Sequence, residues 1–519
     1  MSITYKSIGL VMIAGALLLA EDSSLSAERI RAHTRFLASD LLEGRGVGQR
    51  GGDLATEYIA TQFALAGAKP AGDGQTFFQK VPLIGLDAQP ASQLSASSAG
   101  MNVDFRWGDD FVGADLTQRP SGNFEGGVVF VGHGITAPEY RWDDYKGVDV
   151  SGKILLMFTN EPPSQDATFF DGPALTYYGR WTYKYEEGLR RGARAVILIH
   201  TTPTAGYGWD VVRSSWSRET PYVKLEPGAK ALSLAGWMTH DAAQRLVALA
   251  GRNVDDLLDA AEKPGFRPVD LNILLRAAMV QKVRQIDSRN VAALVPGSDP
   301  KVSGQTVVFS AHWDHLGIGT PVNGDAIYNG AIDNATGCAI LMELARAWAA
   351  LRQKPRRSAL FLSVTAEEGG LKGSEYYAAH PLVPLEKTVI DLNYDAIYPF
   401  GRAKDVVITG AGKTPFWPLV QQIAARLNLA ISPDSQPGQG YYFRSDHFSF
   451  AHVGIPAFSI GHATEFAGKP AGYGQTMWQE YNARHYHQPS DEFQPDWNFT
   501  ALQQAAQFGF LLGQEIANR

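Results

Sequence analysis

Cysteine is almost missing from this chain. Among 519 residues there is one, Cys338. A lone cysteine forms no internal disulfide, so stability must come from burial and from bound metal instead of covalent staples. Cys338 follows Gly337 on an apolar helical face, which reads as a small core residue; a functional thiol is the alternative. Charge is sparse as well. Charged residues make up 19% of the chain, the net charge is −7 and no basic block occurs, which weighs against nucleic acid as a partner. Long apolar runs are missing except near the start, where Ile8 to Ala20 form a core that is short for a membrane span. With Lys6 before it and small residues after it, this segment reads as a signal peptide over 1–27, cleaved after Ala20 or Ala27; an uncleaved N-terminal anchor is the alternative. No cysteine follows the apolar core, so a lipoprotein anchor is not available. No repeat or low-complexity array is evident.

What is present points to a globular protein with large cores: 45% apolar residues, with 53 glycines and 28 prolines to make turns. The length suggests two or three domains. Residues 28–41 and 53–67 have helical spacing and flank a glycine-rich loop, 43–52, whose Arg45 and Arg50 either touch substrate or lie in a solvated connection. From about 120 to 265 the texture changes. Strand signals at 126–135, 152–160 and 192–200 enclose a short helix at 181–192, and no acid/histidine cluster is evident there. The aromatic-rich tract from Tyr177 to Trp209 reads either as a lid or binding surface or as ordinary packing. From 270 onward apolar strands and helices alternate, with helices expected over 337–351, 415–428 and 499–517. The fold class is therefore α/β, a mostly parallel mixed sheet flanked by helices, with a smaller β-rich α/β insert. The expected division is 28–119 and 269–519 for the main domain and 120–268 for the insert.

The chemistry is concentrated between Ser310 and Asp395. TVVFS (306–310) leads into His312 and Asp314, SALFLSV (358–364) into Glu367 and Glu368, and TVIDLNY (388–394) into Asp395. Continuous apolar runs read as buried parallel strands, and ligands of open α/β sheets collect beyond the carboxyl ends of such strands. Carboxylates converging there repel unless a cation sits among them. In His312-x-Asp314 the two side chains point the same way on an extended strand end, so the aspartate can orient the imidazole or co-ligate. Asp333, in the turn GAIDNATG (330–337), can bridge two cations or simply cap the following helix. Glu367 and Glu368 suit metal-assisted hydrolysis, one as ligand and one as general base; a solvated helix start is the bland alternative. His487 lies in the turn-rich RHYHQPSDEF (484–493).

In this order, His-x-Asp, GA-x-Asp-Asn, Glu-Glu-x-Gly-Leu, Asp and YH-x-P-S-D, the motifs resemble the co-catalytic di-zinc aminopeptidases, which include bacterial leucyl and aminopeptidase-S-like enzymes and the transferrin-receptor and glutamate-carboxypeptidase ectodomains. The resemblance covers about 28–115 and 270–519, and the insert resembles a protease-associated domain. It implies a zinc-aminopeptidase, phosphorylase/hydrolase-like fold and two Zn2+ ions, with Co2+ or Mn2+ suited to the same ligands. It implies that Asp333 bridges the ions, that His312 and Asp395 complete one site and Glu368 and His487 the other, that Glu367 is the general base acting on a metal-bound water, and that Asp314 supports His312. Asp446, His447 and Arg444 are implied near the pocket, and Tyr441 or Tyr442 as an oxyanion donor. Ile332 stands where many relatives carry Asp or Asn, and His315 is an extra histidine with no assigned role. The implied function is an exported, periplasmic or secreted aminopeptidase acting on peptides, with no stable membrane span. The alternatives are a carboxypeptidase or dipeptidase, with Arg444 and Arg484 as candidate carboxylate anchors, a glutaminyl-cyclase-like enzyme of the same fold, and a non-catalytic, receptor-like binding module.

Overall fold

A computed structural model describes residues 25–519, so the expected signal peptide falls almost wholly outside the described residues. The chain divides into two compact units. Unit 1 runs up to Pro82 and continues in Asp287–Asp434 and Arg444–Arg519, whereas unit 2 is Leu83–Ile286 with Ser435–Phe443. The boundaries thus lie elsewhere than the expected 120–268. Residues 93–97 pair antiparallel with 274–278, and 111–114 with 235–238, so backbone ladders hold both flanks of the expected insert inside unit 2.

Unit 1 is built on β1 (Thr306–His312), β2 (Ser358–Val364), β3 (Thr388–Asn393), β4 (Asp405–Thr409) and β5 (Ala457–Ile460). β1 is central, parallel to β2 on one side and β3 on the other. β3 continues parallel to β5, and β4 closes antiparallel to β5. Residues 291–295 add an antiparallel strand beyond β2. Every residue of β1 and β2 is buried, as their continuous apolar runs require. Because the chain leaves β1 for β2 on one side and then crosses to β3 on the other, a crevice opens at the carboxyl ends of these three strands.

Helices cover the sheet: α1 (Ala27–Leu37), α2 (Arg50–Leu65), α3 (Thr336–Ala350) and α4 (Thr500–Asn518). α3 is the central one, and its Trp348 meets Phe309 edge-on while Phe309 stacks on Phe361 at 5.3 Å. Glu343 of α3 is buried among these apolar residues, and Arg29, Arg346 and the Ser26 N–H all donate to it. Cys338 is a buried core residue, its Sγ 3.0 Å from the His312 carbonyl oxygen.

Unit 2 is a mixed α/β body. Its parallel strands 154–158, 195–200 and 234–239 carry apolar faces into two cores. The aromatic tract is largely packing: Phe170 and Tyr183 are buried with Trp142, and Tyr177 and Tyr178 pack against them. Unit 2 also buries charge, at His133, Asp144, Glu161, Lys184 and Glu187, although the close groups of metal-ligating atoms found among the described residues lie in unit 1. Among the described residues no helix is long and apolar enough to cross a membrane.

Candidate metal centre

The strand ends bring the expected side chains together. His312 Nε2 lies 3.3 Å from Asp333 Oδ1 and 3.2 Å from Asp395 Oδ1. His487 Nε2 lies 3.4 Å from Asp333 Oδ2 and 2.9 Å from Glu368 Oε2. The two oxygens of Asp333 therefore serve two different groups, which is the geometry of a bridging carboxylate. Ligand atoms of His312, Asp333 and Asp395 all lie within 4.8 Å of one another, and so do those of His315, Asp333 and Glu368. His315 thus joins the site, with its Nδ1 2.6 Å from Glu368 Oε1.

These donors fit divalent cations. His312 Nδ1 is 3.1 Å from the Asp314 carbonyl oxygen, to which it donates, and this turns the Nε2 lone pair toward two carboxylate oxygens. A lone pair facing two anionic oxygens is repulsive unless a positive charge lies between them. A proton is one answer. Burial opposes it, but Asp395 and Glu367 outweigh burial and hold the His312 imidazole well above its usual range. In the same way burial lowers His487, while Glu368 and Asp333 overcome this and raise it to about 10. A bound cation is the other answer, and hard oxygen with imidazole nitrogen is a donor set that zinc, cobalt and manganese accept.

Asp314 meets both the His312 ring and the turn beyond β2. The contact to the His312 ring is made by its backbone carbonyl, while its carboxylate Oδ1 stands 3.9 Å away. That carboxylate instead accepts the backbone N–H groups of Glu367 at 3.2 Å and Glu368 at 3.4 Å. It fixes the turn that presents both glutamates. Burial raises its carboxyl to about 7, with Glu368 and Asp446 adding like charge. Glu367 is raised well above the ordinary carboxylate range by burial, reinforced by Asp395 and Glu368. Ala366 before it, Ala396 after Asp395, and His487 itself all have left-handed φ, at 52°, 52° and 57°. Such conformations in non-glycine residues cluster where side chains must be aimed.

Three further residues support the cluster. Arg45 neither touches solvent nor is placed to bind substrate. It is fully buried, and its guanidinium donates to the carbonyls of Leu37, Trp313, Asn329 and Gly330. It thereby clamps the loop after β1 to the turn before Asp333. Asn334 donates to the Tyr394 carbonyl and accepts from Ala396 N–H, so it ties the Asp333 turn to both neighbours of Asp395. A side chain at Gly337 would stand 2.3 Å from Asn334 Oδ1 and 2.5 Å from the Tyr394 oxygen, so this approach needs glycine. Asp491 accepts the Ile332 and Asp333 N–H groups and the Tyr481 hydroxyl. Its only sequence signal was membership of the Pro-Ser-Asp motif.

The expected substrate residues fare less evenly. Asp446 is fully buried, accepts a 2.6 Å hydrogen bond from Ser374, and is pushed up to about 7 by burial. His447, also buried, opens the helix His447–His452. Arg444 begins the last segment of unit 1, and Tyr441 and Tyr442 belong to the 435–443 segment of unit 2. Arg484 is largely exposed and paired with Glu480 at 3.4 Å.

The family model of Peptidase family M28 matches residues 290–509, the stretch that carries these donors. The chain is 24% identical over 347 residues to Aminopeptidase NAALADL1 of Mus musculus, covering 56% of this chain and 44% of that protein. It is 29% identical over 218 residues to Leupeptin-inactivating enzyme 1 of Streptomyces exfoliatus, covering 41% and 45%. It therefore spans less than half the length of these curated relatives. In structure it is similar to the aminopeptidase from Aneurinibacillus sp. strain AM-1, with a TM-score of 0.51 and 22% identity over 95% of this chain and 93% of that one. That likeness establishes the fold.

Proposed function

From the match of residues 290–509 to the model of Peptidase family M28, we propose that the chain is an exported, zinc-dependent aminopeptidase that removes N-terminal residues from peptides. The observation that carries this reading is the split duty of Asp333, whose two oxygens face His312 and His487 separately. His312, Asp333 and Asp395 would hold one ion, and Asp333, Glu368 and His487 the other. When bound, such ions supply Lewis-acid polarisation of water and of the scissile carbonyl.

The chain's own residues do the rest. Glu367 is the general base: its carboxylate takes the proton of the attacking water and returns it to the leaving amine. Burial, reinforced by Asp395 and Glu368, raises its affinity for a proton, as a group that must accept and hand on a proton requires. Asp314 holds Glu367 in place through the backbone. The carboxylates of Asp395 and Glu367 favour a cationic or hydrogen-bond-donating group, which selects a free α-amine over a C-terminal carboxylate. Export rests on the 1–27 leader pattern. A protease-associated role for unit 2 is part of the same proposal.

The test is hydrolysis of leucine p-nitroanilide by the purified protein before chelation, after chelation, and after zinc is restored. Activity that vanishes and returns is expected. No activity in the zinc-loaded protein overturns the aminopeptidase assignment, and N-blocked and C-amidated peptides then discriminate the carboxypeptidase, dipeptidase and cyclase alternatives. N-terminal sequencing of the protein recovered from the medium or periplasm checks the leader.

A further inference from the structure

His315 is the one ring in the centre to which the function above gives no work, and its surroundings show that the fold has made room for it. Its side chain is completely buried. Its backbone forms a bridge with Gly46, and its N–H meets the carbonyl of the buried Arg45 at 3.4 Å. Gly330 lies against the ring: a Cβ there would stand 2.4 Å from His315 Cγ, and its φ of +57° already favours glycine. The ring's Nε2 is buried without a hydrogen-bond partner. Its polar contact is therefore the one through Nδ1, 2.6 Å from Glu368 Oε1.

That distance separates two roles. Two donors on one tetrahedral zinc, each bonded at 2.0–2.1 Å, lie about 3.3 Å apart. The pairs His312–Asp333, His312–Asp395 and His487–Asp333 span 3.2–3.4 Å, as donors to a common ion would, and His487–Glu368 lies between at 2.9 Å. At 2.6 Å, His315 and Glu368 are a hydrogen-bonded pair. Glu368 thus has one imidazole on each oxygen, His315 on Oε1 and His487 on Oε2.

We propose that His315 is a positioning residue for the second cation: its Nδ1–H occupies Glu368 Oε1, so that Glu368 offers Oε2 alone to the ion shared with Asp333 and His487. The proposal rests on the dinuclear reading above. A carboxylate with one oxygen tied back cannot swing to chelate through both, and it cannot rotate away from Asp333. The second site therefore depends on a residue that touches no ion, and the first site does not.

The test is zinc titration of the full chain against a chromophoric chelator, with wild type, His315→Ala, His315→Gln, His315→Asn and His487→Ala. Wild type should take up two ions. His315→Ala should leave the tighter, first affinity within about threefold and weaken the second about 10–100-fold, the range for lost partners of metal ligands. His315→Asn, whose amide Nδ2–H takes the place of the ring's Nδ1–H, should recover most of that loss, and His315→Gln, whose amide nitrogen stands where Nε2 was, should not. This graded pair carries the comparison even where His315→Ala does not fold. A second-site affinity unchanged by all three substitutions overturns the proposal. So does loss of an ion in His315→Ala with retention of both in His487→Ala, since His315 would then be a ligand itself. If wild type binds no zinc at all, the dinuclear reading fails first and this proposal falls with it.

Discussion

In unit 2, Lys184 is fully buried within electrostatic reach of Asp144, Glu161 and Glu187; in unit 1, Asp333, Glu367, Glu368 and Asp395 gather around His312 and His487. Both regions bury charge, at a cost that must be offset. In unit 2 the hydrogen bonds to these groups come mostly from partners that do not titrate, while Lys184 faces Asp144, Glu161 and Glu187 through charge alone. Asp144 accepts from Ile135 N–H and Trp142 Nε1, Glu161 from the backbone N–H and the hydroxyl of Thr176, and Lys184 donates to the Asn160 carbonyl at 2.9 Å. Glu187 is the exception, held by Arg190 and Arg191. In unit 1 the carboxylates face imidazoles, and the imidazoles face more than one carboxylate. Buried charge alone therefore does not mark a reactive site. What marks it is charge answered by other titratable side chains, an arrangement that accepts an outside cation and leaves a base beside it.

This contrast can be broken by substitution, and the largest effect should come from the base. Glu367→Gln is expected to lower kcat about 10³-fold, within the 10²–10⁴ range for a lost general base, with zinc content unchanged. Near-normal turnover, or loss of metal, would remove Glu367 from that role. Asp333→Ala should weaken retention of both ions by more than about 100-fold, beyond the 10–100-fold of an outer partner, and abolish activity. Dialysed variant that keeps two ions per chain would show that Asp333 does not bridge.

In unit 2 the corresponding changes should be felt in stability and not in metal. Lys184→Met removes the buried cation that Asp144 and Glu161 rely on and should cost about 2–3 kcal/mol, the scale of a charged hydrogen bond left unanswered, with zinc stoichiometry unaltered. Thermal unfolding alongside metal analysis checks both halves, and a wild-type melting point would refute the first. The smallest effect is a slope. Burial raises the Asp144 carboxyl to about 6, against about 3.9 unfolded. Between those values the folded state holds the proton more tightly, so this group's contribution is full below about pH 4 and declines as pH rises through 6. Asp144→Asn should flatten that decline in unit 2 stability between pH 4 and 6, and an unchanged slope would assign it to another group.

Much of unit 1 was legible before folding because its signals are local. β1, β2 and β3 are continuous apolar runs, and α3 was read to within a residue at each end because one stripe of Ile340, Leu341, Leu344 and Trp348 repeats at helical spacing. The ligand types stood out for the same reason, each following such a run. Arg45, Asn334 and Asp491 did not, since each does its work through partners far away in the chain; Arg45 reaches carbonyls 268–285 residues on. The division into units is not a local property, since the pairings 93–97 with 274–278 and 111–114 with 235–238 join segments more than a hundred residues apart.

The sequence by itself determined the parallel strands, the side-chain types at their carboxyl ends and the family motif order, because periodicity and residue chemistry are properties of neighbours in the chain. Only the tertiary structure decided that the Asp314 carboxylate accepts two backbone N–H groups, that Arg45 is a buried clamp, that unit 2 buries charge around Lys184, and that His315 takes one oxygen of Glu368. Each of those depends on which atoms meet across long loops, and a hydrogen bond's identity is fixed by distance and direction, which no spacing along the chain encodes.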